Sequence, residues 1–199
     1  MNLWTATLAG VRWEQLFADL QAQFDAEESA AERAEDASRA RAAVGRLRWL
    51  DRLGGARGHE VGLTCTGAGA VSGRVADLGP DWVLLVDERS REHLVATAGV
   101  CALVGLGAAT AAPADDGLVA RAWDLRRAVR ALARDRAPLQ CVLVDGSVLT
   151  GTVDRVGADF LELAEHPADE PRRRAAVRQV RTVVLTALAV VSPAVSSRG

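Results

Sequence analysis

The side chains able to do chemistry are few and scattered. His59, His93 and His166 stand alone, without the HxxxH or HExxH spacing that sets two imidazoles on one helix face for a metal. Cys65, Cys101 and Cys141 lie far apart with no CxxC pair. Their odd number and wide spacing argue against a disulfide framework or a zinc site and for a reducing cytoplasm. Each reads as a small buried hydrophobe. No GxSxG, Walker A or GxGxxG pattern occurs, and the glycines of Gly67-Ala68-Gly69 lack a following helix. His166-Pro167 beside Glu165 is the one catalytic foothold, yet no nucleophile–base pair converges on it. The expectation is a protein that is not an enzyme and takes no cofactor or metal.

Charge is more informative. The 199 residues carry 26 acidic and 24 basic side chains, and every basic one is Arg. Lys, Ile and Tyr are absent, a usage that reads as the product of a GC-rich genome such as that of a high-GC bacterium. The net charge of −2 conceals a blocked distribution. Glu14 to Asp36 is acidic, with Arg33 its only basic residue. Three basic blocks follow. Arg39, Arg41, Arg46, Arg48, Arg52 and Arg57 form the first. Arg121, Arg126, Arg127, Arg130, Arg134 and Arg136 form the second, and Arg172, Arg173, Arg174, Arg178 and Arg181 the third. Such patches could track a nucleic-acid backbone, or they could form solvated faces paired with the acidic segment. Within that segment Trp13, Phe17, Leu20 and Phe24 recur at spacings of four, three and four, the rhythm of a coiled-coil seam. The rhythm continues through Glu27, Ala31 and Ala34, so the seam weakens. It suits an arm packed on its own domain, a dimerising arm or a docking helix.

The elements that must position these groups come twice. VSGRVADLGPDWVLL (71–85) lies over LTGTVDRVGADFLEL (149–163) at a constant offset, with Gly73/Gly151, Val75/Val153, Gly79/Gly157 and Asp81/Asp159 identical. Each copy starts with a helical stretch: LRWLDRL at 47–53 in the first, and Leu118, Ala122, Leu125, Val129 and Leu132 at helical spacing in the second. Leu139, Cys141 and Leu143 then alternate as in a half-buried strand, and Asp145-Gly146 supplies a hairpin turn. Two strand segments broken at 156–159 follow, with Gly151 expected to mark a sharp bend. Val180–Val191 is long enough for two more short strands. Asp81 and Asp159, just before aromatics, are expected to cap backbone amides rather than titrate in catalysis.

At LVDGSVLTGTVDRVGADFLEL (143–163) the chain resembles the first conserved motif of Sm-like proteins, the family of the bacterial host-factor RNA chaperone and the eukaryotic LSm rings. The motif's turn glycine, mid-strand glycine and Asp-aromatic pair look like Gly146, Gly151 and Asp159-Phe160 here, and like Gly73 and Asp81-Trp82 in the first copy. The resemblance implies a lead helix, a five-stranded bent barrel and edge strands that pair between barrels. The family's second motif, a Lys-His or Arg-Gly pair for RNA, is replaced by Leu185 and Thr186 in the second copy, and 95–100 in the first has no cation either. Small SH3-like barrels share the same glycine spacing.

The expected fold is therefore α+β: two tandem helix-plus-five-stranded Sm-like or SH3-like β-barrels behind a long N-terminal helix. The boundaries are an acidic arm at 1–46, a first barrel with its lead helix at 47–110, a second at 117–193 and a disordered tail at 194–199. The charge-free stretch Leu94–Ala114 is long enough to span a bilayer but too poor in large apolar residues to gain from it, so no membrane is expected. The start of the chain has no basic run ahead of an apolar one, unlike a secretory signal. The function expected is a cytoplasmic binding or assembly module, homo-oligomeric or bound to a protein partner. It would act through edge strands such as Val183–Val191 or through the seam of Trp13, Phe17, Leu20 and Phe24. The alternative is an RNA- or DNA-binding regulator using Arg126, Arg127, Arg130, Arg134, Arg172, Arg173, Arg174 and Arg178.

Overall fold

Alanine and long charged side chains, with neither Pro nor a β-branched run, carry one helix, α1 (Thr5–Val44), through the acidic segment. Near its end Arg39 reaches back to Asp36 at 2.8 Å and Glu35 at 3.9 Å, pairs of the kind that support a solvated helix. The computed structural model describes residues 5–107, 123–170 and 172–195. The chain divides into two compact units, Met1–Leu47 and Arg48–Gly199.

The second unit runs α2 (Trp49–Gly55), β1 (Glu60–Cys65), β2 (Gly69–Leu78), β3 (Trp82–Val86), β4 (Glu92–Ala96) and β5 (Val100–Val104). The order then repeats as α3 (Leu125–Arg134), β6 (Leu139–Leu143), β7 (Val148–Val156), β8 (Phe160–Glu165), β9 (Gln179–Val184) and β10 (Leu188–Pro193). A single 3₁₀ turn, Thr97–Gly99 or Leu185–Ala187, joins the last two strands of each half. Asp124 caps α3 by accepting from the Arg127 amide at 2.9 Å, and Trp123 and Asp124 precede the helix. The helical stripe expected from Leu118 and Ala122 falls outside the described residues, as do Arg121 and 196–199.

The expectation of two helix-plus-barrel units is overturned. All ten strands form one antiparallel sheet in the order β5-β1-β2-β3-β4-β10-β6-β7-β8-β9, open at β5 and β9. β5 folds back on β1, while β4 joins β10 through Val95↔Val190 and Leu94↔Val191. The physical reason is that burial crosses the middle of the sheet. One apolar cluster places Trp82, Leu94 and Ala96 of the first half among Leu139, Leu163 and Val183 of the second. The other places Ala189 and Val190 of the second half among Val61, Leu85 and Val95 of the first. Neither half owns a complete core, so neither closes on itself.

The mid-strand glycines sit where the neighbouring strand approaches closely. A methyl group on Gly73 would lie 2.7 Å from the Val86 carbonyl oxygen, and one on Gly151 would collide with the Ala164 carbonyl. The irregularity comes three residues later in each copy. Ala76 and Asp154 are extra residues, because Val75 and Asp77 face Leu85 and Leu84 while Val153 and Arg155 face Leu163 and Glu162.

Candidate functional site

The repeated order of elements gives each sheet edge a buried counterpart. In the first half Trp82 faces Ala96, and in the second Phe160 faces Val184, so β4 and β9 are equivalent strands. Likewise Leu63 faces Leu103 and Cys141 faces Val191, which makes β5 the equivalent of β10. β4 and β10 cover each other; β5 and β9 have no strand on their outer side among the described residues. The consequence is visible at one position. Cys101 and Ala189 are the extra residues of matching bulges, yet Ala189 is 0% exposed and Cys101 lies in the open. Beside Cys101, Val104 is 69% exposed, and on β9 Val180 and Val184 are 56% and 49% exposed.

Each half also carries a carboxylate clamp at the end of its third strand. Asp87 accepts from the Arg89 and Arg91 amides at 2.9 Å, from the Arg91 guanidinium at 2.7 Å and from His93 Nε2 at 3.2 Å. The Arg91 amide, followed by the His93 and Arg91 side chains, holds its carboxyl far below the usual range. This fixes the turn through Ser90, whose φ of 58° lies in the left-handed region. In the second half Glu165 accepts from Arg181 and from Gln179, and Arg181 lowers its carboxyl in the same sense. A groove of about 350 Å³ lies along the β4–β10 junction, with Asp87, Arg91, His93, Gln140 and Ser192 among its lining. A second, apolar hollow of about 200 Å³ lies over Trp82, Leu94, Trp123 and Leu132.

The basic residues expected to contact a partner are only partly free. Arg172 is held by Asp154 at 2.5 Å, and Arg130 donates to the Val156 carbonyl at 3.0 Å. Arg126 lies 3.7 Å from Asp124. Arg127, Arg134, Arg173, Arg174 and Arg178 form no ion pair among the described residues. On α1 Trp13, Phe17, Leu20 and Phe24 are each more than half exposed, with the Trp13 and Phe17 rings 6.3 Å apart.

The groups that suggested chemistry are occupied structurally. His166 is buried; its Nδ1 donates to the Pro167 carbonyl at 2.8 Å, which in the neutral ring leaves Nε2 to accept from the Thr152 hydroxyl at 2.9 Å. Cys141 is fully buried, and burial pushes its thiol up to about 12. Asp81 accepts from the Leu125 amide at 2.7 Å, an amide cap across the two halves. Among the described residues no three His, Cys, Asp or Glu side chains gather as a metal site, and no helix is long and apolar enough to cross a membrane.

No protein-family model, curated protein or solved structure matches this chain.

Sequence reasoning missed the β4–β10 junction, the open edge at β5 and the Asp87 clamp. The clamp had a signal, since Asp87 and Glu165 stand at the offset that aligns the two copies. The junction had none, because Val95 and Val190 are ordinary strand valines until a partner strand is chosen.

Proposed function

We propose that the chain is a non-catalytic assembly module of the cytoplasm, whose copies add head to tail as β9 of one pairs antiparallel with β5 of the next. One observation carries the reading: the chain already makes this contact once, between β4 and β10, and β9 and β5 are the uncovered equivalents of those strands. β5 reads Val-Cys-Ala-Leu-Val, without the charge or proline that ordinarily protects a sheet edge, and no strand covers its outer side among the described residues. Burying Val104, Val180 and Val184 in the new contact would contribute about 1 kcal/mol each, beside the ladder hydrogen bonds. A head-to-tail contact of this kind is heterologous, so it repeats from copy to copy instead of stopping at a pair.

The internal register gives the test. Copying Val95↔Val190 onto the edges sets Val183 against Ala102, and one step further sets Val184 against the native Cys101 of the next copy. Mild oxidation of Val184→Cys is expected to give a ladder of covalent oligomers that disappears when Cys101→Ser is added. Absence of the ladder, with a monomer mass by light scattering at micromolar concentration, overturns the reading. Salt-sensitive binding to a random RNA or DNA pool, lost in Arg173→Ala/Arg174→Ala, would replace it with the nucleic-acid alternative.

A further inference from the structure

We infer that the apolar hollow between α3 and the sheet is a binding site for a small quaternary ammonium compound, held by two indoles and a carboxylate rim. The site lies wholly within residues 48–199 and does not depend on the strand edges.

Register sets its floor. Asp77, Leu84, Leu94 and Val191 stand opposite one another in a row across β2, β3, β4 and β10. Trp82 comes two residues before Leu84, and Glu92 two before Leu94. In antiparallel strands both therefore share the face of that row and flank it on opposite sides. From the helix, Ala128, Ala131 and Leu132 line the same space at one helical spacing, and the small alanines leave about 200 Å³ open. Trp123, just before α3, lines it as well and is 51% exposed. Trp82 is nearly buried, and its Nε1 donates to the Trp123 carbonyl at 2.7 Å. That bond engages the one polar group of the indole and leaves only ring surface for the hollow. The only ring pair among the described residues is Trp13 with Phe17, so the two indoles do not stack on each other.

The lining selects the occupant. Among the described residues around the hollow no side chain is basic, whereas Asp77 and Glu92 are acidic. Asp77 Oδ1 accepts from Arg57 at 3.0 Å and from the Leu78 amide at 2.8 Å. Glu92 enters no ion pair among the described residues. The rim thus keeps one negative charge in excess, which repels an anion. A primary ammonium or a guanidinium is poorly served, because its N–H groups would shed water and find no acceptor along the apolar wall. A quaternary ammonium has no N–H to satisfy. It offers methyl groups to the aliphatic lining, and its charge is drawn to the indole rings and to the rim.

Choline titrated into the full chain is the test, read by saturation transfer to its methyl signal and by tryptophan fluorescence. Saturable binding in the millimolar range is expected. Trp123→Leu, at an exposed position whose backbone carbonyl still serves Trp82, should weaken it about fivefold, and Glu92→Gln about threefold. The uncharged carbon analogue of choline, with a tert-butyl group in place of trimethylammonium, should bind about fivefold more weakly to the parent chain. Glycine betaine, which brings a carboxylate to the acidic rim, should also bind more weakly than choline. Circular dichroism matching the parent in each variant keeps the comparison valid. A choline signal that never saturates would overturn the inference. So would equal binding of the uncharged analogue, which would make the hollow a site for hydrocarbon alone, or undiminished binding in Trp123→Leu.

Discussion

At the scale of the residue, Gly151 shows how much a missing methyl group can hold. The neighbouring strand comes so close that any Cβ there would meet the Ala164 carbonyl, which is backbone and cannot swing aside. Gly151→Ala is expected to cost about 3 kcal/mol of stability by urea denaturation, the scale of overpacking in a tight core. Gly107→Ala, with open space around it and ordinary backbone, should stay within about 0.5 kcal/mol of the parent. The importance of these glycines was legible in the sequence because Gly73 and Gly151 repeat. Their reason was not: spacing along one strand reveals nothing of how near the next strand comes. Cys65 and Cys141 are buried as small apolar residues, whereas Cys101, expected to be the same, is exposed on β5; the carboxylate clamp needed the turn through Ser90 to bring Asp87, Arg91 and His93 together.

At the scale of the element, the clearest lesson comes from the two repeated aspartates. Asp81 leaves its own turn to bond the first amide of α3, where Asp124 already bonds the Arg127 amide. Asp159 has no side-chain hydrogen bond among the described residues; only its carbonyl is used, by the Leu185 amide. Thermal or urea unfolding should therefore show about 1 kcal/mol lost in Asp81→Ala and in Asp124→Ala, and almost nothing in Asp159→Ala. The double variant Asp81→Ala/Asp124→Ala should depart from additivity, since both carboxylates serve one helix end. Strands, hairpin turn and the α1 helix were readable because each follows from local period and turn chemistry. The position of α3 was less so, because its N-terminus is set partly by a residue from the other half of the molecule.

At the scale of the whole molecule, pairing of distant edges decides the architecture. Ten strands of the expected kinds are present, yet they join across the middle through Val95 and Val190 instead of closing twice. No local pattern encodes that choice, which is settled by burying Trp82 and Leu94 in one cluster and Ala189 and Val190 in the other. Two self-contained barrels would unfold independently. Shared cores instead predict that residues 48–199, freed of the arm, unfold in one cooperative step, with tryptophan fluorescence and far-ultraviolet circular dichroism tracing the same urea transition.

The β4–β10 contact also constrains arithmetic. Because the peptide chain ties two half-repeats together, half-repeats can be added only in twos, and any closed ring of this chain must contain an even number of them. Its seams would alternate between one that no dilution can open, the covalently tethered β4–β10, and one that concentration governs. A chain with this repeated order of elements thus leaves the two kinds of seam free to diverge: the first can evolve for permanence, while the second remains adjustable.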